Sequence, residues 1–216
     1  MIKLVINNRI KWIDYAKAIT IILVIIAHTA SENNIIKPLI FSFHMPLFFI
    51  CSGITMRCSH NFKEFMTRTK KDCASLLLPA IVMYTFMVAI DLLLNYKKIF
   101  ASGISLYFKN KIITLFFASG VEGIFLGYRV PKLGMLWFLF ALFFAKVIYD
   151  LLQMILNKRM LIIVCPLLSV LGILVGERAY CPFSIDISIA TLFFILLGQV
   201  IKSKKYKEKN KVIYCF

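Results

Sequence analysis

The sequence predicts an all-α fold, a polytopic membrane helical bundle of about six spans plus one re-entrant or interfacial segment. Three observations carry this. Hydrophobic residues make up 61% of the 216 residues and charged residues only 17%, with a mean hydropathy of +0.84. A soluble domain holds roughly 45–50% apolar and about 25% charged residues. The apolar residues are gathered into stretches long enough to cross hydrocarbon, which takes roughly 20 helical residues each. The basic residues fall between those stretches with an asymmetry that sets an orientation. Together these exclude an ordinary soluble enzyme, a disordered chain and a disulfide scaffold.

The first stretch, 13–30, reads IDYAKAITIILVIIAHTA, and the second, 39–56, reads LIFSFHMPLFFICSGITM. A polar stretch with five basic residues follows at 57–73. The third apolar stretch is 74–94. Residues 95–133 hold only a weaker apolar piece, 112–128, interrupted by Ser119, Gly120, Glu122 and Gly123. The fourth, fifth and sixth stretches are 134–156, 160–175 and 183–201, before the lysine-rich ending KSKKYKEKNKVIYCF. If 112–128 does not cross and the chain starts inside, 17 basic residues lie on the inner side and 8 on the outer, with Lys146 within a span. That obeys the positive-inside rule, whereas a seventh span at 112–128 would put the lysine tail outside. The expectation is therefore a multi-pass protein of the cell (plasma) membrane with a cytoplasmic N-terminus, a membrane domain over 1–201 and a basic cytoplasmic tail over 202–216.

The formal charge of +16 would suggest nucleic acid in a soluble protein. Here no basic stripe is interleaved with exposed aromatics, as nucleic-acid surfaces need, so the charge reads as topology. The six cysteines form no CxxC pair and no Cys/His cluster with zinc spacing, which points to small apolar packers and no metal.

Ionisable residues inside spans are costly and mark functional candidates. Asp14 and Lys17 stand at i,i+3 at the inner start of the first span. His28 closes that span fourteen residues later, about 21 Å along a helix and within roughly 40° of the same face. One helix can thus show a carboxylate and an imidazole to one cavity at different depths. His44 lies two residues before Pro46, whose missing N–H weakens the helix. A histidine there serves either as an interhelical hydrogen bond or as a site residue. Lys146 and Asp150 are spaced i,i+4 and are expected to pair within their helix. Gly53 and Gly198 are expected at close helix contacts. The run WFLFALFF at 137–144 is expected mostly to face lipid.

The string Arg9-x4-Asp14-x2-Lys17, the run ITIILVIIAH ending in His28, and FSFHMPLFFICSG over 41–53 together resemble the membrane acyltransferase-3 family, in particular its fucose 4-O-acetylase-like branch. Leu136-Trp137-Phe138-Leu139 resembles a later span of that branch. The resemblance is dense over 9–53 and generic beyond 140. It implies an integral membrane O-acyltransferase that moves an acetyl or other short acyl group from acyl-CoA, with acetyl-CoA as co-substrate, to a hydroxyl of a cell-surface or exported carbohydrate or glycolipid. Carried over by position, His28 matches the family's essential histidine. Arg9 and Asp14 match its N-terminal basic and acidic positions, His44 belongs to its HMPLFF string, and Arg57 follows the second span where relatives often carry a basic residue.

The chemistry fits these residue types. His28 is expected as the general base: a neutral imidazole takes the proton of a sugar hydroxyl as it attacks a thioester, Asp14 orients a basic partner, and an acyl-histidine intermediate is a further route. Basic residues at the inner face (Arg9, Lys17, Arg57, Arg68, Lys70 and Lys71) suit coenzyme A phosphates, with Arg57 and Arg9 preferred. Relatives carry more spans than this chain has room for, so a shortened, inactive member is one alternative. A non-enzymatic transporter or flippase-like protein is the other. The placement of His28 towards the outer face, with the donor arriving from inside, requires a cavity that lets the acyl-bearing arm reach across.

Overall fold

The computed structural model describes residues 11–29, 36–125, 128–178 and 181–213. Among these, five helices are long and apolar enough to cross a membrane, or six when one bent pair counts as a single span. In chain order the elements are α1 Lys11–Thr29, α2 Ile36–Thr55, α3 Phe62–Asp72, α4 Leu78–Ser102, α5 Ile104–Phe117, β1 Gly123–Phe125, β2 Tyr128–Val130, α6 Trp137–Ile155, α7 Lys158–Gly176, α8 Ile185–Ala190 and α9 Leu192–Ile213. The all-α polytopic bundle predicted from the sequence is the fold observed.

The polar stretch after α2 becomes helix because its start is well capped. The Asn61 side chain accepts from the Glu64 N–H at 2.8 Å, and the Glu64 carboxylate accepts from the His60 N–H at 3.1 Å. These reciprocal bonds satisfy donors that a helix start leaves open. From there a helical run of 41 residues extends to Ser102, kinked at Asn95, where φ is −115° and ψ 18°. Between α3 and α4 it widens into a π-helical turn, Cys73–Leu77. Pro79 lies just beyond, and a proline collides with the carbonyl four residues before it, here Ser75. The widened turn makes room for the ring.

The weaker piece at 112–128 resolves into the end of α5, a turn, and a short hairpin. At 14 residues α5 spans about 21 Å, short of the roughly 30 Å of a hydrocarbon core, so it does not cross as a helix. It stops at Ala118, whose φ of 49° is left-handed. In the hairpin Ile124 pairs with Arg129, and the Arg129 guanidinium meets Glu122 at 2.7 Å. On the other side of α5, Asp91 of α4 accepts from Lys111 at 2.8 Å and from the Tyr107 hydroxyl at 2.9 Å.

The core lies around α6, which packs against α3, α7, α8 and α9. Phe140, Ala141, Leu142, Phe143 and Ala145 are buried, and Ala141, Leu142, Ala145 and Tyr149 pack with Phe49 of α2 and Leu192, Ile195 and Leu196 of α9. The aromatic run at 137–144 is therefore core, not lipid-facing bulk. Its hydrophobicity alone did not reveal that helices surround α6 on several sides. The contrast is α1, where Ile19, Ile21, Ile22, Ile25 and Ile26 are all exposed. In a membrane these side chains face lipid.

The tightest seam joins α2 to α9. A Cβ on Gly198 would lie 2.3 Å from the Ile50 carbonyl oxygen, and one on Gly53 would lie 2.4 Å from that of Ile195. Two facing glycines let the backbones touch, as small residues do at membrane helix crossings. Helices α8 and α9 meet at a 52° bend beside Thr191, whose hydroxyl donates to the Ile187 carbonyl at 2.9 Å.

Candidate active site

Helix α2 carries a cavity at each of its ends. At its C-terminal end the last carbonyls have no helical partners and must find others. The Gln199 side-chain amide donates to the Gly53 and Met56 carbonyls at 2.8 and 3.1 Å, and the Lys202 ammonium also donates to Met56. Three residues on, the Ser59 N–H and hydroxyl donate to the two carboxylate oxygens of Asp150 at 2.8 and 2.7 Å. The short link Met56–Ser59 is thus gripped from α9 on one side and α6 on the other. Burial pushes the Cys58 thiol in this link above its ordinary range, and the Asp150 charge adds to the effect.

Arg57 lies in that gripped link and lines a cavity of about 500 Å³ with Thr55, Arg68, Lys71, Asp72 and Lys146. Lys146 and Asp72 form an ion pair at 2.5 Å. The expected intrahelical pair of Lys146 with Asp150 is therefore absent. Each residue instead meets a partner from the α2–α3 region: Lys146 takes the carboxylate ending α3, and Asp150 takes the amide and hydroxyl of Ser59. A buried carboxylate gains more from two short donors than from a lysine one helical turn away. With Asp72 engaged by Lys146, the cavity keeps a surplus of positive charge on Arg57, Arg68 and Lys71. Arg68 also approaches Glu64, at 3.7 Å.

The second cavity, about 790 Å³, lies against the N-terminal half of α2 and is walled mostly by apolar side chains. His28, Phe41, His44 and Phe48 line it from α1 and α2, and Lys132, Trp137 and Phe138 line it from the start of α6 and the segment before it. The wall beside Trp137 needs Gly120, where a Cβ would sit 2.7 Å from the indole nitrogen. The loop bearing Gly120 is anchored by the Ser184 hydroxyl, which donates to the Ala118 carbonyl at 2.5 Å, and by the Leu133 N–H, which donates to the Ser119 carbonyl at 2.8 Å.

The two histidines of this cavity differ. His28, in the last turn of α1, is exposed, and its ring stacks at a tilt 5.2 Å from Phe41. Phe41 in turn lies 5.4 Å from His44. His44 is only 6% exposed, and its Nδ1 is 2.9 Å from the Ile40 carbonyl oxygen one turn earlier. This is a bond within α2, in place of the interhelical bond expected as the structural alternative.

Of the other sequence candidates, Asp14 and Lys17 are half-buried in the first two turns of α1, and the Lys17 charge acts on Cys51 near the C-terminal half of α2. They belong to the Arg57 end of the bundle, and Asp14 does not share the His28 cavity. Arg9 lies outside the described residues. The structure thus brings together Arg57, Arg68 and Lys71 in one cavity and His28 with His44 in the other. Sequence reasoning missed Lys132 as a lining residue and the Lys146–Asp72 pair. Lys132 reads as one more topology charge. Lys146 has a nearer carboxylate in the sequence than the one it uses.

Residues 10–214 match the model of the acyltransferase-3 family, described as an acyltransferase domain. No curated protein and no solved structure matches the chain. The match covers nearly the whole sequence, including both cavities, the helices that wall them and the α2–α9 seam. The chain belongs to the acyltransferase-3 family of membrane acyltransferases.

Proposed function

We propose that the protein is an integral membrane O-acyltransferase of the fucose 4-O-acetylase-like kind. It moves an acetyl or other short acyl group from acyl-CoA to a hydroxyl of a cell-surface or exported carbohydrate or glycolipid. The protein acts in the plasma membrane with its N-terminus in the cytoplasm. The observation that carries this reading is the pair of cavities on one helix, a basic one at Arg57 and an imidazole-bearing one at His28 and His44. Donor phosphates suit Arg57, Arg68 and Lys71, because guanidinium groups bind phosphate oxygens in bidentate fashion. Arg9 and Lys17 add positive charge at the same end, and Asp14 orients a basic partner there.

The nearest α2 residues of the two cavities, Phe48 and Thr55, are seven positions apart, about 10 Å of helix rise. An acyl group on the long flexible arm of coenzyme A can cover such a distance while its phosphates stay at Arg57. In the second cavity an imidazole takes the proton of the acceptor hydroxyl, which is a weak nucleophile while it holds that proton. The family likeness marks His28 as essential to this cavity, and His44 shares its lining. The apolar wall excludes water that would otherwise hydrolyse the thioester.

Membranes of expressing cells, which carry their own glycans, supply the acceptor when given acetyl-labelled acetyl-CoA. The expected result is label in glycan or glycolipid that depends on the gene, with one acetyl of added mass per modified unit. Arg57→Ala raises the KM for acetyl-CoA about tenfold, the loss of one charge-assisted contact of about 1.4 kcal/mol, with little change in the maximal rate. His28→Ala abolishes labelling. Solute flux that needs no acyl-CoA, without labelled acceptor, is the result that would overturn the reading.

A further inference from the structure

The proposed activity leaves two imidazoles in one cavity, and their geometry separates their roles. We infer that the proton acceptor in acyl transfer is Nε2 of His44, and that His28 at the mouth holds the incoming alcohol. The inference rests on the acyltransferase reading above and assigns the chemistry within it.

A general base must present a lone pair in a fixed direction, and a neutral imidazole has one lone pair whose position depends on which nitrogen carries the hydrogen. A carbonyl oxygen cannot donate, so the 2.9 Å contact from His44 Nδ1 to the Ile40 carbonyl places the hydrogen on Nδ1. The lone pair then lies on Nε2. That atom has no protein partner among the described residues, and the ring that bears it forms part of the cavity wall. Burial on α2 and the Phe41 ring hold the imidazole in place. This is the arrangement of a base oriented by a third group, here a backbone carbonyl. His28 lacks it. Its ring lines the cavity from an exposed position beside Phe41 and has no hydrogen-bond partner among the described residues.

Depth points the same way. Phe41, the neighbour of His28, is three residues nearer the far end of α2 than His44 is. His44 therefore lies closer to the Arg57 end, eleven residues or about 16 Å from Thr55. A thioester arriving from the basic cavity meets His44 before His28. In the step proposed, the acceptor O–H bond breaks and its proton passes to Nε2. The acceptor oxygen bonds to the acyl carbonyl carbon, the C–S bond breaks, and its electron pair leaves with sulfur. The proton then passes from the imidazolium to the thiolate, giving free coenzyme A and neutral His44.

The test compares His44→Asn, His44→Ala and His28→Asn in the same membranes with labelled acetyl-CoA. An asparagine amide nitrogen stands near the place of Nδ1 and keeps the bond to Ile40, but nothing replaces Nε2. His44→Asn is expected to lower the maximal labelling rate by about 10²–10⁴-fold and to leave the KM for acetyl-CoA unchanged. It also removes the acid limb of the pH–rate profile. Added imidazole restores part of the rate in His44→Ala and not in His28→Asn, which keeps its acid limb while its labelling falls. A purely structural His44 predicts the opposite: His44→Asn retains the wild-type rate, or imidazole fails to restore His44→Ala. Either result overturns the assignment while the acyltransferase reading stands. If the wild-type protein labels nothing, both fall together.

Discussion

At the Arg57 end of α2, charges from α3 and α6 and the link between α2 and α3 meet over a cavity framed by short bonds: Lys146 to Asp72 in its wall, and around it Ser59 to Asp150 and Gln199 and Lys202 to the last carbonyls of α2. At the His28 end the same helix faces aromatic and aliphatic side chains, and the ionisable groups of the lining are two imidazoles and Lys132. The first arrangement gathers fixed positive charge where a polyanion can be neutralised. The second keeps a few titratable groups in poorly solvated surroundings, where a proton can be moved without competition from water. One helix serves both because a proline, a histidine and aromatic residues occupy its N-terminal half, while small residues and a gripped exit occupy its C-terminal half.

The largest effect is expected at the seam that holds both ends in register. Gly198→Leu forces side-chain atoms into the backbone of α2, which cannot move aside as a flexible side chain would. The expected loss exceeds the about 1–3 kcal/mol typical of an overpacked core. Both cavities are lost together, seen as absence of a cooperative melt in detergent. A melt within a few degrees of wild type would mean that the seam yields and is not the frame.

The next effect should be confined to one end. Asp150→Ala strands the Ser59 N–H and hydroxyl in a buried setting and costs about 2–4 kcal/mol. Arg57 loses its fixed position, so affinity for acetyl-CoA falls, while protection of the His28 end in hydrogen exchange is unchanged. Equal loosening at both ends would show that the two cavities are not independent.

The smallest effect lies beyond either cavity, in the hairpin. The Arg129 guanidinium beside Glu122 holds its carboxyl below the usual carboxylate range. The pair therefore lends stability above the unfolded carboxylate value of about 4.3, and this is lost as pH falls through the lowered folded value. Amide exchange in β1 and β2 should quicken only in acid, and Glu122→Gln should remove the dependence. Both substrates' kinetics should be indifferent to it. A Glu122→Gln change that altered acyl transfer would extend the site to the hairpin.

Much of this was legible along the chain. The spans were readable because hydrophobic length is a one-dimensional property, and Gly53 and Gly198 stood out because glycine inside a span rarely has another use. The histidines and Arg57 were visible as polar groups of a type and spacing that a bilayer does not tolerate idly. Which partner each charge takes was not visible. Lys146 has Asp150 one turn away in sequence and yet binds Asp72, because packing of α3 against α6 decides what is close. The burial of WFLFALFF was hidden for the same reason: phenylalanine is equally at home against lipid and against another helix.

By itself the sequence determined that the chain is a bundle of membrane helices, which end of each helix is basic, and that an imidazole-bearing helix pair opens it, since these follow from composition and order. Only the tertiary structure decided that Arg57, Arg68 and Lys71 share one cavity, that His28 and His44 share another, and that His44 Nδ1 meets the Ile40 carbonyl. Those facts depend on how the helices pack around each cavity and on the direction of one backbone carbonyl, and neither is encoded in hydrophobicity.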